Sequence, residues 1–284
     1  MTTPIPTRTL FAHIVDYAGT FPPASLAVDD ALSAYACERC GPDAWLLGRL
    51  VLPAQSLEAV DDATGIGSPG EWLLSAIAGP DARAALARVN AFNGRWAGRA
   101  RIASVEFAPA APADIAGLMR LAGDRTEAFF ETPIDADLQA RLDAISAAGG
   151  AAKVRTGGTT PAAIPSPAAL ADFLFECAER GLSFKATAGL HHAVRSCYPL
   201  TYERDSSTAV MHGFLNALAA AAMARAGASR ADLVEALVEP SITVLMETAR
   251  LHDPDATRLF FRSFGSCSFR EPADELARMN LEPT

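Results

Sequence analysis

At 284 residues, half of them hydrophobic, with a net charge of -9 and a pI near 5.1, the chain has ample material for a large core. It has no basic run that would suit nucleic acid or an anionic membrane. The five cysteines (Cys37, Cys40, Cys177, Cys197 and Cys267) are too scattered for a disulfide framework, and no signal peptide or long uncharged apolar run is evident, so a reducing cytoplasm is expected.

After a polar, proline-containing start, residues 11–16 read as a strand with a glycine- and proline-rich exit over 17–23. A helix is predicted over 27–40; its Cys37 and Cys40 form a CxxC with no second pair or nearby histidine, which suits one helix face better than a zinc or redox site. Strands follow at 45–52, 72–78, 102–107 and 128–131, alternating with helices at 56–63, 81–96, 112–122 and 135–147. A sixth strand ends at Lys153, a helix spans 167–180, and a seventh strand ends at Lys185; an eighth covers 259–264, with a closing helix over 273–279. Eight short apolar strands alternating with helices imply one (β/α)8 TIM barrel over 1–284, with a long helical insertion at 190–258 between strands seven and eight. No GxGxxG follows the first strand, which argues against an open dinucleotide-binding sheet and gives no sign of a cofactor.

Of 24 basic side chains 22 are arginine, and the two lysines, Lys153 and Lys185, stand at equivalent places before the glycine turns Thr156-Gly157-Gly158 and Thr187-Ala188-Gly189. Lysine, unlike arginine, can lose its proton and attack a carbonyl. Polar residues at the predicted strand ends are Asp16, Glu106, Glu131, Lys153, Arg155, Lys185 and the turn at Ser266, and a barrel concentrates its chemistry at that face. Two carboxylates beside two lysines suit Schiff-base formation, with Glu106, Glu131 and Asp16 available to move protons. Neighbouring ammonium groups roughly 6 Å apart would repel by on the order of 2.8 kcal/mol, which favours a free amine. Backbone N–H groups of Gly157, Gly158, Gly189, Gly265 and Ser266, with Arg155 nearby, would make an anion site for phosphate or carboxylate.

The strand ends resemble deoxyribose-phosphate aldolase and its class I relatives. Val15-Asp16-Tyr17 resembles that family's Asp-His segment, Val105-Glu106-Phe107 falls where its acidic proton-transfer residue lies, and Phe130-Glu131-Thr132 resembles its Glu-Thr strand end. Lys153-Val154-Arg155-Thr156-Gly157 is similar to its Schiff-base signature Lys-Thr-Ser-Thr-Gly, and Phe184-Lys185-Ala186-Thr187-Ala188-Gly189 to the Phe-Lys-Pro-Ala-Gly-Gly segment of its second lysine. Phe264-Gly265-Ser266-Cys267-Ser268 resembles its phosphate-binding turn. The resemblance implies a lyase of aldolase type acting on a small carbonyl substrate without metal or cofactor, with Lys153 as nucleophile and Lys185 keeping its proton. Arg155 in place of a small residue, Glu106 in place of aspartate, and the pair His191-His192 depart from the pattern.

Two other readings compete. Glu106 and Glu131 with one of His191, His192 or His212 would make a metal site for a barrel lyase or isomerase. The same pocket without turnover would make a sugar-phosphate or carboxylate binding protein. The three histidines are otherwise candidates for orienting substrate, His13 and His252 read as structural, and a homo-oligomer stays open.

Overall fold

The computed structural model describes residues 7–61, 66–68 and 70–279. Eight strands, β1 (Val15–Tyr17), β2 (Leu47–Pro53), β3 (Trp72–Ile77), β4 (Ala100–Phe107), β5 (Glu127–Glu131), β6 (Ala151–Arg155), β7 (Phe184–Thr187) and β10 (Phe261–Ser266), pair in parallel and close into a barrel. The closing ladders join β10 to both β7 and β1. The fold is the expected α/β barrel.

Period-two alternation divides each strand between two environments. Side chains such as Val105, Phe107, Phe130, Val154 and Phe264 turn outward, where Phe107 stacks on Phe130 at 5.1 Å and Phe264 on Phe214 at 5.5 Å. The surrounding helices are α2 (Val28–Arg39), α3 (Ala82–Arg95), α4 (Pro112–Ala122), α5 (Leu138–Ala148) and α6 (Pro167–Glu179). Their ends follow local chemistry: Asp81 accepts from the Ala84 amide, and Ser166, followed by a proline at the first helical position, accepts from Ala169. Gly149 closes α5 in the left-handed conformation. Burial of each large outward side chain contributes roughly 1.5–3 kcal/mol.

The connection from β7 to β10 holds more than helices. An antiparallel hairpin, β8 (Ser196–Pro199) with β9 (Thr208–Met211), precedes α7 (Phe214–Arg225), α8 (Arg230–Val238), α9 (Ile242–Arg250) and α10 (Pro254–Phe260). α7 is buried on nearly every face, and its alanines let α8, α9 and α10 approach it closely. β8 and β9, at four residues each, are too short for a strand signal.

Several boundaries differ from expectation. Phe11 belongs to a short helix, α1 (Thr7–Phe11), and β1 begins only at Val15, because His13 takes a left-handed φ of 54° and breaks the apolar run. Leu259 and Phe260 likewise finish α10, and the strand that follows runs to Ser266. The helix at 56–63 is a 3-10 turn over Ala54–Ala59; its last positions, from 62, lie outside the described residues. The closing helix, α11 (Arg270–Arg278), starts three residues early. Lys153 and Lys185 do not end their strands: each is followed by two more strand residues, so both side chains enter the barrel interior.

Candidate active site

The barrel interior holds a row of alternating charges. Lys153 and Lys185 are register partners on β6 and β7, and Glu131 pairs in register with Lys153. From one end, Lys185 Nζ lies 2.6 Å from Asp16 Oδ2 and 2.7 Å from Glu106 Oε1. Lys153 Nζ lies 3.2 Å from Glu106 Oε2 and 3.0 Å from Glu131 Oε2, and Glu131 Oε1 accepts from Arg155 at 3.2 Å. Glu106 thus stands between the two amines, one oxygen to each. Two facing ammonium groups are expected from the sequence; the interposed carboxylate offsets their repulsion, and Arg155 spends its charge on Glu131.

Hydroxyls complete the shell. Ser104 donates to Ser75, Ser75 donates to Glu106 Oε1, and Ser263 donates to Asp16 Oδ2, which leaves the buried carboxylates well supplied with partners. The Arg49 amide adds a bond to Asp16 Oδ1, and a side chain at Gly48 would stand 2.5 Å from that oxygen. Lys185 Nζ also sits over the Phe129 ring, 5.4 Å from its centroid. Burial opposes the charge on Glu106, yet Lys185 and Lys153 prevail and hold its carboxyl down at about 2. Burial likewise opposes the charge on Lys185, but Asp16 and Glu106 overrule it and keep the ammonium above its ordinary range. Glu131 is also held below the usual carboxylate range, burial being outweighed by Lys153 and Arg155.

Both lysines, Glu106, Glu131, Arg155, Gly158, Gly189, His191 and Gly265 line a cavity of about 390 Å³ at the C-terminal end of the strands. Val51, Ile77, Phe21 and Pro22 supply its apolar wall. Its rim contains a strained residue: Ala188 has φ of 60°, which costs a non-glycine residue roughly 1–2 kcal/mol, and Thr156 holds it by donating to the Ala188 carbonyl. Next to it, Gly157 and Gly189 touch through their backbones, since a Cβ on Gly157 would lie 2.7 Å from the Gly189 Cα. A larger cavity of about 810 Å³ opens at the opposite end of the barrel, lined by Arg49, Arg258, Arg262 and Glu127 among others, and Asp16 borders that one.

Other sequence candidates lie elsewhere. His212 is buried with Nε2 2.8 Å from the Pro165 carbonyl, and burial lowers its pKa; it does not line the cavity. His192 stacks on Tyr198 and pairs with Glu275 at 2.7 Å, also outside the cavity lining. Ser266 donates to the Ser268 carbonyl and meets His191, and neither it nor Gly157 lines the cavity; of the residues expected to hold an anion, Arg155, Gly158, Gly189 and Gly265 do. The carboxylate–histidine metal set does not assemble: among the described residues no group of three or more His, Cys, Asp or Glu is placed to hold a metal ion. Sequence reasoning missed Ser75, Ser104 and Ser263; Ser104 is in period-two phase with Glu106 on β4, but Ser75 and Ser263 reach their carboxylates from other strands and carry no such signal. It also missed Cys267, which continues the inward row of Ser263 and Gly265 to the cavity wall.

No family model matches the chain, and no curated protein matches it either. Among solved structures the chain is similar to nitroalkane oxidase from Streptomyces ansochromogenes, at 15% identity and a TM-score of 0.37, covering 97% of this chain and 99% of that one. A likeness this distant carries no argument about chemistry, which rests on the barrel and its interior. Among the described residues no helix is long and apolar enough to cross a membrane.

Proposed function

We propose that this protein is a lysine-dependent carbonyl enzyme of the class I aldolase kind, which forms a Schiff base at Lys153 with a small aldehyde or ketone. The observation that carries this reading is the row Asp16, Lys185, Glu106, Lys153, Glu131, in which two buried amines share one carboxylate at the floor of a cavity. Lys153 passes a proton to Glu131, the partner nearer solvent, and the freed amine adds to the carbonyl carbon. The carbinolamine takes a proton from Lys185 and loses water, giving an iminium. As the carbon–carbon bond breaks, its electron pair moves into the iminium to give an enamine, and Lys185, now neutral, takes the proton of the β-hydroxyl, which becomes the carbonyl of the released fragment. Lys185, held by Asp16 and Glu106, keeps its proton in the free enzyme and so carries the one that loss of water consumes. Glu106 returns protons between the amines. A phosphate or carboxylate on the substrate would meet Arg155 beside the Gly158 and Gly189 turns.

Borohydride reduction with a panel of aldehydes and ketones, read by intact mass, tests the reading. The native protein gains the mass of one reduced adduct, whereas Lys153→Leu gains none and loses turnover. Lys185→Leu still traps, more slowly by roughly 10²–10⁴-fold, the worth of a positioned acid–base group. A native protein that traps nothing across the panel, while binding the same carbonyl compounds, would instead be the non-catalytic binder. Trapping that persists in the Lys153 variant and vanishes in the Lys185 variant would exchange the two roles.

A further inference from the structure

Cys267 differs from the other four cysteines in its surroundings. Cys37, Cys40 and Cys197 are exposed, and Cys177 lies on the buried face of α6, where burial drives its thiol well above the ordinary range. Cys267 follows β10 and lines the same cavity as Lys153 and Lys185. On its other side lies a separate pocket of about 370 Å³, bordered by Tyr17, Glu38, Tyr202 and Arg270. Its Sγ lies 4.0 Å from His191 Nε2, and the opposite ring nitrogen, Nδ1, lies 2.6 Å from Glu271 Oε2. The Tyr202 hydroxyl donates to the same Glu271 oxygen at 3.1 Å and lies 3.5 Å from Sγ. Thiol, imidazole and carboxylate therefore stand in series, with the tyrosine closing the ring from the long connection.

We propose that Cys267, His191 and Glu271 form a second nucleophilic site of the cavity, a thiolate held against an imidazolium, which adds reversibly to an aldehyde to give a hemithioacetal. The choice of an aldehyde rests on the carbonyl chemistry proposed for Lys153; the thiolate site stands on its own geometry. Glu271 fixes the ring so that Nδ1–H points to carboxylate and Nε2–H to sulfur, the arrangement that activates a nucleophile through an oriented base. In the step itself Sγ bonds to the carbonyl carbon and the C=O electron pair moves to oxygen. The Nε2 proton of His191 then neutralises the alkoxide, leaving a neutral imidazole still bonded to Glu271. Nothing is oxidised or reduced, and the reverse step restores the ion pair.

The charge environment supports the same assignment. Burial would lower the His191 pKa, but Cys267 and Glu271 raise it to about 9. Burial would raise the Cys267 thiol, but His191 and Tyr202 bring it below the ordinary value. Glu271 is held down against burial by His191. From β1, Tyr17 faces the sulfur and is pushed up in turn, mainly by burial and then by Cys267. Glu38 and Arg270, across the smaller pocket, neutralise one another at 3.1 Å.

Alkylation with iodoacetamide, located by peptide mass mapping, tests the site with the exposed Cys37, Cys40 and Cys197 as internal references. At about pH 6 Cys267 labels at least about tenfold faster than those three, and His191→Gln removes the advantage while leaving labelling in strong alkali unchanged. Propanal slows labelling of Cys267 reversibly, and does so equally in Lys153→Leu, where no imine can block the cavity. Labelling of Cys267 no faster than its references overturns the proposal, as does a rate that His191→Gln leaves alone. Protection by propanal that disappears in Lys153→Leu assigns the effect to the lysine and overturns the hemithioacetal. Protection that persists while borohydride traps nothing keeps the thiolate site and removes the Schiff base. Should His191→Gln fail to fold, the propanal comparison on native and Lys153→Leu protein decides alone.

Discussion

Val154 and Lys153 are neighbours on β6 and live in opposite solvents. Val154 turns out to the apolar layer between sheet and helices, as Val105 and Phe107 do on β4; Lys153 turns in to a row of charges, as Glu106 does between them. The outward layer is stabilised by area removed from water, roughly 25 cal/mol per Å². The inward row gains nothing of that kind. Each of its ions is desolvated, and the mutual attraction of a buried pair does little more than offset that cost. The outward layer, not the interior row, therefore carries the stability of the barrel, and under the proposed function the charges packed inside it serve a ligand.

That contrast is breakable by substitution. The largest effect is expected at Glu106, the one carboxylate that faces both amines. Glu106→Gln should cost about 3–5 kcal/mol in urea denaturation, the loss seen when one partner of a buried ionic group is removed, and should abolish imine formation. Its acid profile sharpens the point. The folded carboxyl sits at about 2, below its ordinary value of 4.5, so its contribution is present above that ordinary value and is lost as pH falls toward 2. Stability measured across that window should fall in the native protein and lose this component in the variant.

One residue away and on the other face, Val154→Ala should cost about 2 kcal/mol through lost burial and a small cavity, while borohydride trapping proceeds at the native rate. A large change in trapping would mean that the two faces are mechanically coupled. The smallest effect is expected at Gly265, which faces the cavity. A Cβ there meets only Thr187 Oγ1, at 3.6 Å, an ordinary contact. Gly265→Ala should move the calorimetric midpoint by less than the equivalent of about 0.5 kcal/mol, yet slow trapping of the bulkier ketones by narrowing the cavity.

The barrel was legible because alternation and strand–helix rhythm are local properties of the chain. The lysines were legible for a different reason: in a chain that uses arginine 22 times, two lysines before glycine turns stand out. Their depth was not. Strand ends are set by pairing, and Arg155 and Thr187 extend β6 and β7 because each is the other's register partner, which no local pattern discloses. The same limit explains the electrostatics. Glu106 is 47 residues from Lys153 and 79 from Lys185, and only closure of the sheet puts it between them. His191 and Cys267 are 76 residues apart, and their meeting depends on how a connection of irregular length returns to β10. His212 looked polar and loop-borne, but the helix it precedes buries it against Pro165.

The backbone contact between Gly157 and Gly189 has a consequence for how this cavity can be altered. Main chain meets main chain directly after the two lysine strands, with no side chain between them to enlarge or trim. The spacing of the amines is therefore fixed by covalent geometry and ladder pairing, and repacking cannot retune it. The size of the cavity can be altered at the facing wall, where Val51, Ile77 and Phe21 present ordinary side chains, and by a Cβ at Gly265 on β10, whereas the turns after the two lysine strands offer no such handle.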